Sequence, residues 1–162
     1  MLNINNKQEL FKLLEYLNEL RKKNKTLFKE DPEKSKKLSR FLVIIEENLH
    51  LRQKDKYIEL MELFLKNKID AEDFSFCFIT KYDDINQTLR EMKQDFEKRF
   101  DELSNLLIEN KNNKCDIGTS LMWMYDECDG FDPNSKSSIT DEANLRNSAK
   151  MLLSELKPSI YD

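Results

Sequence analysis

Apolar positions along the chain recur at three- and four-residue spacing, the period that lines one face of an α-helix, and the strict alternation of strands is not seen. Leu10, Leu13, Leu14, Leu17 and Leu20 form the first stripe and predict a helix from about Asn6 to Phe28. Asp31-Pro32 reads as an N-cap followed by proline at the first helical position, where a missing N–H is no loss. The helix it opens carries Leu38, Phe41, Leu42, Ile45 and Leu49, so the two segments predict an αα-hairpin. A break is allowed near Gln53-Lys54-Asp55. Tyr57, Ile58, Met61, Phe64 and Leu65 predict a third helix over 55–66. Asp70 is placed to cap a fourth, with Phe74, Cys77, Phe78 and Tyr82 as its apolar face. Thr88-x-x-Glu91 has the form of a capping box and predicts a fifth helix starting there. Its seam is Leu89, Met92, Phe96, Leu103 and Leu107, too short for a coiled coil and long enough for a core face. Ile117, Leu121, Met124, Tyr125 and Cys128 predict a sixth helix, with Gly130 at its C-terminal position. A polar loop over 132–140 follows. Thr140 or Asp141 then caps a last helix with the stripe Leu145, Ala149, Leu152 and Leu156, which Pro158 stops.

These patterns predict an all-α protein. The expected organisation is an N-terminal helical hairpin over 1–53 and an antiparallel four-helix bundle over 54–162. Composition agrees. The chain has 162 residues with 36% charged and 39% hydrophobic, but 2 Gly and 3 Pro. Dinucleotide and phosphate-binding loops need glycines where backbone approaches phosphate, and sandwiches need many turn residues; both classes are excluded. Ten Phe and five Tyr supply enough bulk for a core.

Charge is distributed unevenly. Residues 1–56 hold 14 Lys/Arg against 9 Asp/Glu, residues 57–114 hold 9 against 13, and residues 115–162 hold 4 against 9. A basic front and acidic back argue against nucleic acid docking on the C-terminal part and favour a basic partner there. The cations at 21–25 and 34–37 give an alternative reading, a nucleic-acid-associated or adaptor protein using the N-terminal hairpin.

Little in the sequence points to catalysis. His50 is the single histidine and has no visible partner motif. Cys77, Cys115 and Cys128 form no C-x-x-C pair, so neither a zinc site nor a disulfide framework is expected. They suit a reducing compartment, the cytoplasm or an organellar stroma. No signal-peptide pattern or apolar run of membrane-spanning length is visible, and no cofactor is implied.

The most informative segment is acidic. Asp126, Glu127, Asp129 and Asp132 fall within seven residues that hold no Lys or Arg, at the C-terminal end of a predicted helix. There they repel one another and oppose the helix dipole, so they are either a solvated helix end or a docking surface for a basic cleft. Phe131 beside them is a core anchor or an exposed interface aromatic. Trp123, off the Leu121–Tyr125–Cys128 stripe, is either an interface residue or buried against the hairpin.

Residues 57–157 resemble the colicin D immunity protein family of bacterial self-protective proteins. The resemblance lies in Leu63-Phe64-Leu65-x-x-x-Ile69-x-Ala71-x-x-Phe74, in Asp129-Gly130-Phe131-Asp132-Pro133, and in a capped helix with Leu145-Arg146 and Leu152-x-x-x-Leu156, in that order. Asn134 stands where the family pattern carries another acid, and residues 1–53 have no counterpart. The resemblance implies a monomeric helical protein without enzyme activity. It would block the active-site cleft of a basic, transfer-RNA-cleaving toxin domain with its carboxylates, binding neither membrane nor nucleic acid. Asp129 and Asp132 would be the key carboxylates, and Trp123, Asp126, Glu127, Phe131 and Asn134 complete the expected interface.

Overall fold

The computed structural model describes residues 4–109, 117–134 and 140–157. Cys115, Pro158 and residues 135–139 of the expected polar loop lie outside them. The described residues form eight helices: α1 (Ile4–Lys22), α2 (Leu27–Glu30), α3 (Pro32–Arg52), α4 (Lys54–Leu65), α5 (Ala71–Gln94), α6 (Phe96–Glu109), α7 (Ile117–Asp129) and α8 (Glu142–Leu156). No strand forms among them; Phe131 and Thr140 make an isolated bridge. The protein is all-α, and no helix of the described residues is long and apolar enough to cross a membrane.

Aspartates set three of the helix starts. Asp31 Oδ1 accepts from the Lys34 N–H at 3.0 Å and Asp70 Oδ1 from the Asp73 N–H at 2.8 Å. Asp141 Oδ1 accepts from the Asn144 N–H at 2.8 Å. Each satisfies one of the N–H groups that the first turn leaves without a partner.

Two helix ends use asparagine where glycine is usual. After α1, Asn24 takes φ 54°, with the Lys25 N–H on the Leu20 carbonyl and the Asn24 N–H on the Arg21 carbonyl. After α4, Asn67 takes φ 56°, with the Lys68 N–H on Leu63 and the Asn67 N–H on Phe64. Both are Schellman endings, and Asn tolerates the left-handed conformation better than other residues with a Cβ. Asn24 therefore divides the single helix expected over residues 6–28 into α1 and α2.

The expected helix start at Thr88 is not found. α5 runs unbroken from Ala71 to Gln94, because Ile85, Leu89 and Met92 continue its buried stripe. The Glu91 carboxylate accepts from Gln87 Nε2 at 3.0 Å, a contact along the helix rather than a cap. The break comes at Asp95, whose carbonyl accepts the N–H groups of both Lys98 and Arg99.

The helices group into two units, one of Met1–Leu49 with Gln87–Asn113 and one of His50–Asn86 with Lys114–Asp162. This grouping puts α6 and the end of α5 with the N-terminal hairpin instead of with residue 54 onward. Its physical cause is packing in the first unit. The Phe11 ring meets Phe96 at 5.4 Å and Phe100 at 5.0 Å, both edge-on. Buried Asn48 donates from Nδ2 to the Leu106 carbonyl at 2.6 Å, satisfying a carbonyl in the last turn of α6. α1 and α3 are joined by the Lys37–Glu9 ion pair and by Lys34, whose ammonium lies 4.4 Å from the Tyr16 ring centre.

The second unit packs α4, the first four turns of α5, α7 and α8. Phe64 stacks on Phe74 at 4.2 Å and 10°, Tyr57 meets Phe78 at 5.2 Å, and Tyr82 meets Tyr125 at 4.8 Å. Arg146 pins α8 to α4: Nη1 donates to the Phe64 carbonyl at 2.9 Å, and its guanidinium carbon lies 4.3 Å from the Phe64 ring centre. A cation placed at the C-terminal end of α4 also complements the dipole. Lys157 and Lys66 both pair with Glu62 and hold its carboxyl down at about 2.

Candidate functional site

The end of α7 carries the acidic segment. Asp126 and Asp129 are exposed on its last turn, which holds no basic residue, and Asp132 is exposed just beyond. Among the described residues none of the three has an ion-pair partner. The backbone beneath them is braced. Asp132 Oδ1 accepts from the Asn134 N–H at 2.9 Å, closing an Asx turn. Glu127 Oε2 accepts from the Thr140 hydroxyl at 2.8 Å, while the Thr140 N–H reaches the Gly130 carbonyl. Glu127 is thus half-buried and tied to the start of α8. Gly130 follows α7 directly, yet its φ is not positive, so the turn does not use glycine's left-handed freedom.

The residues singled out from sequence fall on two faces. Asp129, Phe131, Asp132 and Asn134 line a shallow cleft of about 310 Å³ against the start of α5, where Glu72 and Phe76 complete it. Phe131 is half-buried there. Trp123 and Glu127 line a separate groove between α7 and α8. Trp123 is 67% exposed, so of the two alternatives open for it, burial is not the one found.

Three contributors escape a sequence reading. Glu72 and the 71%-exposed Phe76 reach the cleft from α5. Asp83, also on α5, acts on Tyr125: burial raises the Tyr125 phenol above its usual value, and Asp83, Asp129 and Asp126 add to the rise. These acids sit some fifty residues apart in the chain, and only helix packing assembles them, so no local pattern signals them.

The basic front is partly neutralised. Lys12, Lys36 and Arg40 line a groove between α1 and α3, but its Lys34 pairs with Asp31 and its Lys37 with Glu9.

His50 is fully buried. Its Nδ1 lies 3.1 Å from the Tyr57 hydroxyl, its ring stacks on Tyr82 at 4.8 Å, and among the described residues Nε2 has no hydrogen-bond partner. Burial pushes the imidazole down to about 4 and the Cys128 thiol up to about 12. The imidazole is therefore neutral at pH 7 and the thiolate scarce. Among the described residues no group of three or more His, Cys, Asp and Glu is placed to hold a metal ion.

Buried His50 makes folding pH-dependent. The unfolded imidazole takes its proton near its ordinary 6.5, the folded one only near 4. The stability is whole above pH 6.5 and falls as pH drops toward 4, by about 3 kcal/mol in all. Glu46, raised by burial, acts with the opposite sign. Urea unfolding of the wild type and His50→Gln between pH 7.5 and 4 checks this, since the difference between them cancels Glu46. Parallel pH profiles for the two proteins would contradict it.

Fold and site together define an all-α protein with an acidic helix end, unpaired among the described residues, and an apolar-floored groove between α7 and α8. Comparison with protein-family models, with curated proteins and with solved structures finds no match for the chain.

Proposed function

We propose that this chain is an immunity protein, a non-catalytic inhibitor that sets its acidic α7 end into the basic active-site cleft of a transfer-RNA-cleaving, colicin D-like toxin domain. The observation that carries the reading is the set Asp126, Asp129 and Asp132: three exposed carboxylates at a helix C-terminus, unpaired among the described residues. Such a set opposes the helix dipole, and among the described residues no cation offsets it in the free protein. Opposite a basic cleft it takes the place of substrate phosphates and steers association. The Asx turn at Asp132 and the Glu127–Thr140 bond hold the group in shape before binding, which lowers the ordering cost. Phe131 and Asn134, lining the same cleft, supply an apolar and a neutral polar contact. The inhibitor acts as a monomer in the compartment that holds the toxin's transfer RNA.

The test is co-expression. A toxin domain encoded in a neighbouring reading frame is produced with and without this chain. Survival only in its presence, together with a one-to-one complex, supports the proposal. Equal toxicity in both cases defeats it. Binding of transfer RNA by this chain at physiological salt would instead favour the nucleic-acid reading through the Lys12–Arg40 groove.

A further inference from the structure

The groove between α7 and α8 carries a surface that the proposed toxin contact does not use, since none of Asp126, Asp129 and Asp132 lines it. Its volume is about 370 Å³. Met124 and Leu152 form an apolar floor, both buried. Trp123 and Met151 stand up on either side, 67% and 66% exposed. A tryptophan and a methionine left this open on facing helices lose hydrophobic stabilisation that burial would provide. Trp is the residue most enriched at interface centres, and Met adapts its shape to a partner.

Charge decides what fits. Among the described residues that line it the only charged ones are Glu127 and Glu155, both acidic, and α7 contains no Lys or Arg in its whole length. On α8, Arg146 is committed to Glu142 and the Phe64 carbonyl and Lys150 does not line the groove, and Lys157, just after the helix, pairs with Glu62. A second copy of this chain is disfavoured, because a two-fold contact sets Glu127 and Glu155 against their own equivalents. Nucleic acid and anionic lipid surfaces meet the same repulsion.

We propose that the α7–α8 groove docks a basic amphipathic segment of a partner protein, with an apolar side chain between Trp123 and Met151 and flanking Lys or Arg facing Glu127 and Glu155. This mode is a helix-in-groove contact, in which apolar anchors give affinity and the charged rim gives selectivity.

Trp123 is the single tryptophan of the chain, so its fluorescence reports on the groove directly. The probe is a synthetic Leu/Lys peptide whose leucines fall on one helical face, with a Leu/Glu peptide as its counterpart. The full-length protein is expected to give a saturable blue shift and reduced acrylamide quenching with the first peptide alone. Met151→Ser and Glu155→Lys, both at exposed positions, are each expected to weaken binding about tenfold. The Asp129→Asn, Asp132→Asn protein is expected to keep the shift, so this inference and the toxin reading fail separately. The proposal is overturned by no shift, by an equal shift with the Leu/Glu peptide, or by a shift that neither Met151→Ser nor Glu155→Lys alters. It is equally overturned by a shift that grows with the protein's own concentration without peptide, which would assign the groove to a second copy.

Discussion

The double variant Asp129→Asn, Asp132→Asn is expected to lose most of its affinity for the proposed toxin domain, about 2–5 kcal/mol for each carboxylate. The size follows from what is left behind. Removing one member of a desolvated charge pair strands the partner's cation without water and without a counter-charge. Asparagine isolates this effect. It matches aspartate in shape, and its side-chain oxygen can still accept from the Asn134 N–H, so the Asx turn survives. Folding of the free variant should be unchanged or slightly improved, because two negative charges leave the C-terminal end of α7. Titration calorimetry at two salt concentrations checks both parts: the wild type weakens with salt through slower association, and the variant does so less. Asp101→Asn, an exposed change in α6, serves as the near-neutral control. Wild-type affinity and full protection by the double variant would reduce the acidic segment to a solvated helix end.

Phe64→Ala is expected to be the most damaging single change to stability, at about 3–5 kcal/mol. The ring is fully buried and held between two partners, stacked on Phe74 at 4.2 Å and covered by the Arg146 guanidinium at 4.3 Å. Its loss combines the transfer energy of the apolar atoms with a cavity that three helices cannot close. The aromatic pair and the cation–π contact, about 1 kcal/mol each, place it toward the upper end of that range. The Arg146 bond to the Phe64 carbonyl is a backbone contact and survives, so the loss belongs to the ring. Phe64→Leu, which refills most of the space, is expected to cost less than half as much. Urea midpoints of the three proteins check the order. Equal midpoints would mean that the α4–α8 junction relaxes around the missing ring.

Particular residues show how far the sequence was readable. Asp31, Asp70 and Asp141 are legible as caps because an N-cap is a local contract between a side chain and an N–H three residues on. The same local logic misled at Thr88. A capping-box pattern competes with an apolar stripe that continues through it, and burial of Ile85, Leu89 and Met92 outweighs a single cap. Asn24 and Asn67 end helices in a chain with 2 Gly, but asparagine occurs in many other settings and does not announce a left-handed turn. Of the candidate site, the carboxylates at 126, 129 and 132 could be read as one acidic run. Their division from Trp123 and Glu127 could not, since it depends on which neighbours flank each face of α7.

The sequence by itself determined an all-α chain, the helix starts capped by Asp31, Asp70 and Asp141, and its buried stripes, because helical periodicity and capping act over three or four residues. It also determined that the last turn of α7 is acidic and without cations. The tertiary structure alone decided that α6 joins the N-terminal unit, that His50 is sealed beneath Tyr57 and Tyr82, and that Glu72 and Asp83 approach the acidic end from α5. It alone left Trp123 and Met151 open on opposite sides of one groove. Those outcomes depend on how the faces of different helices are paired. Periodicity shows which face of a helix is apolar; only packing chooses the face it meets.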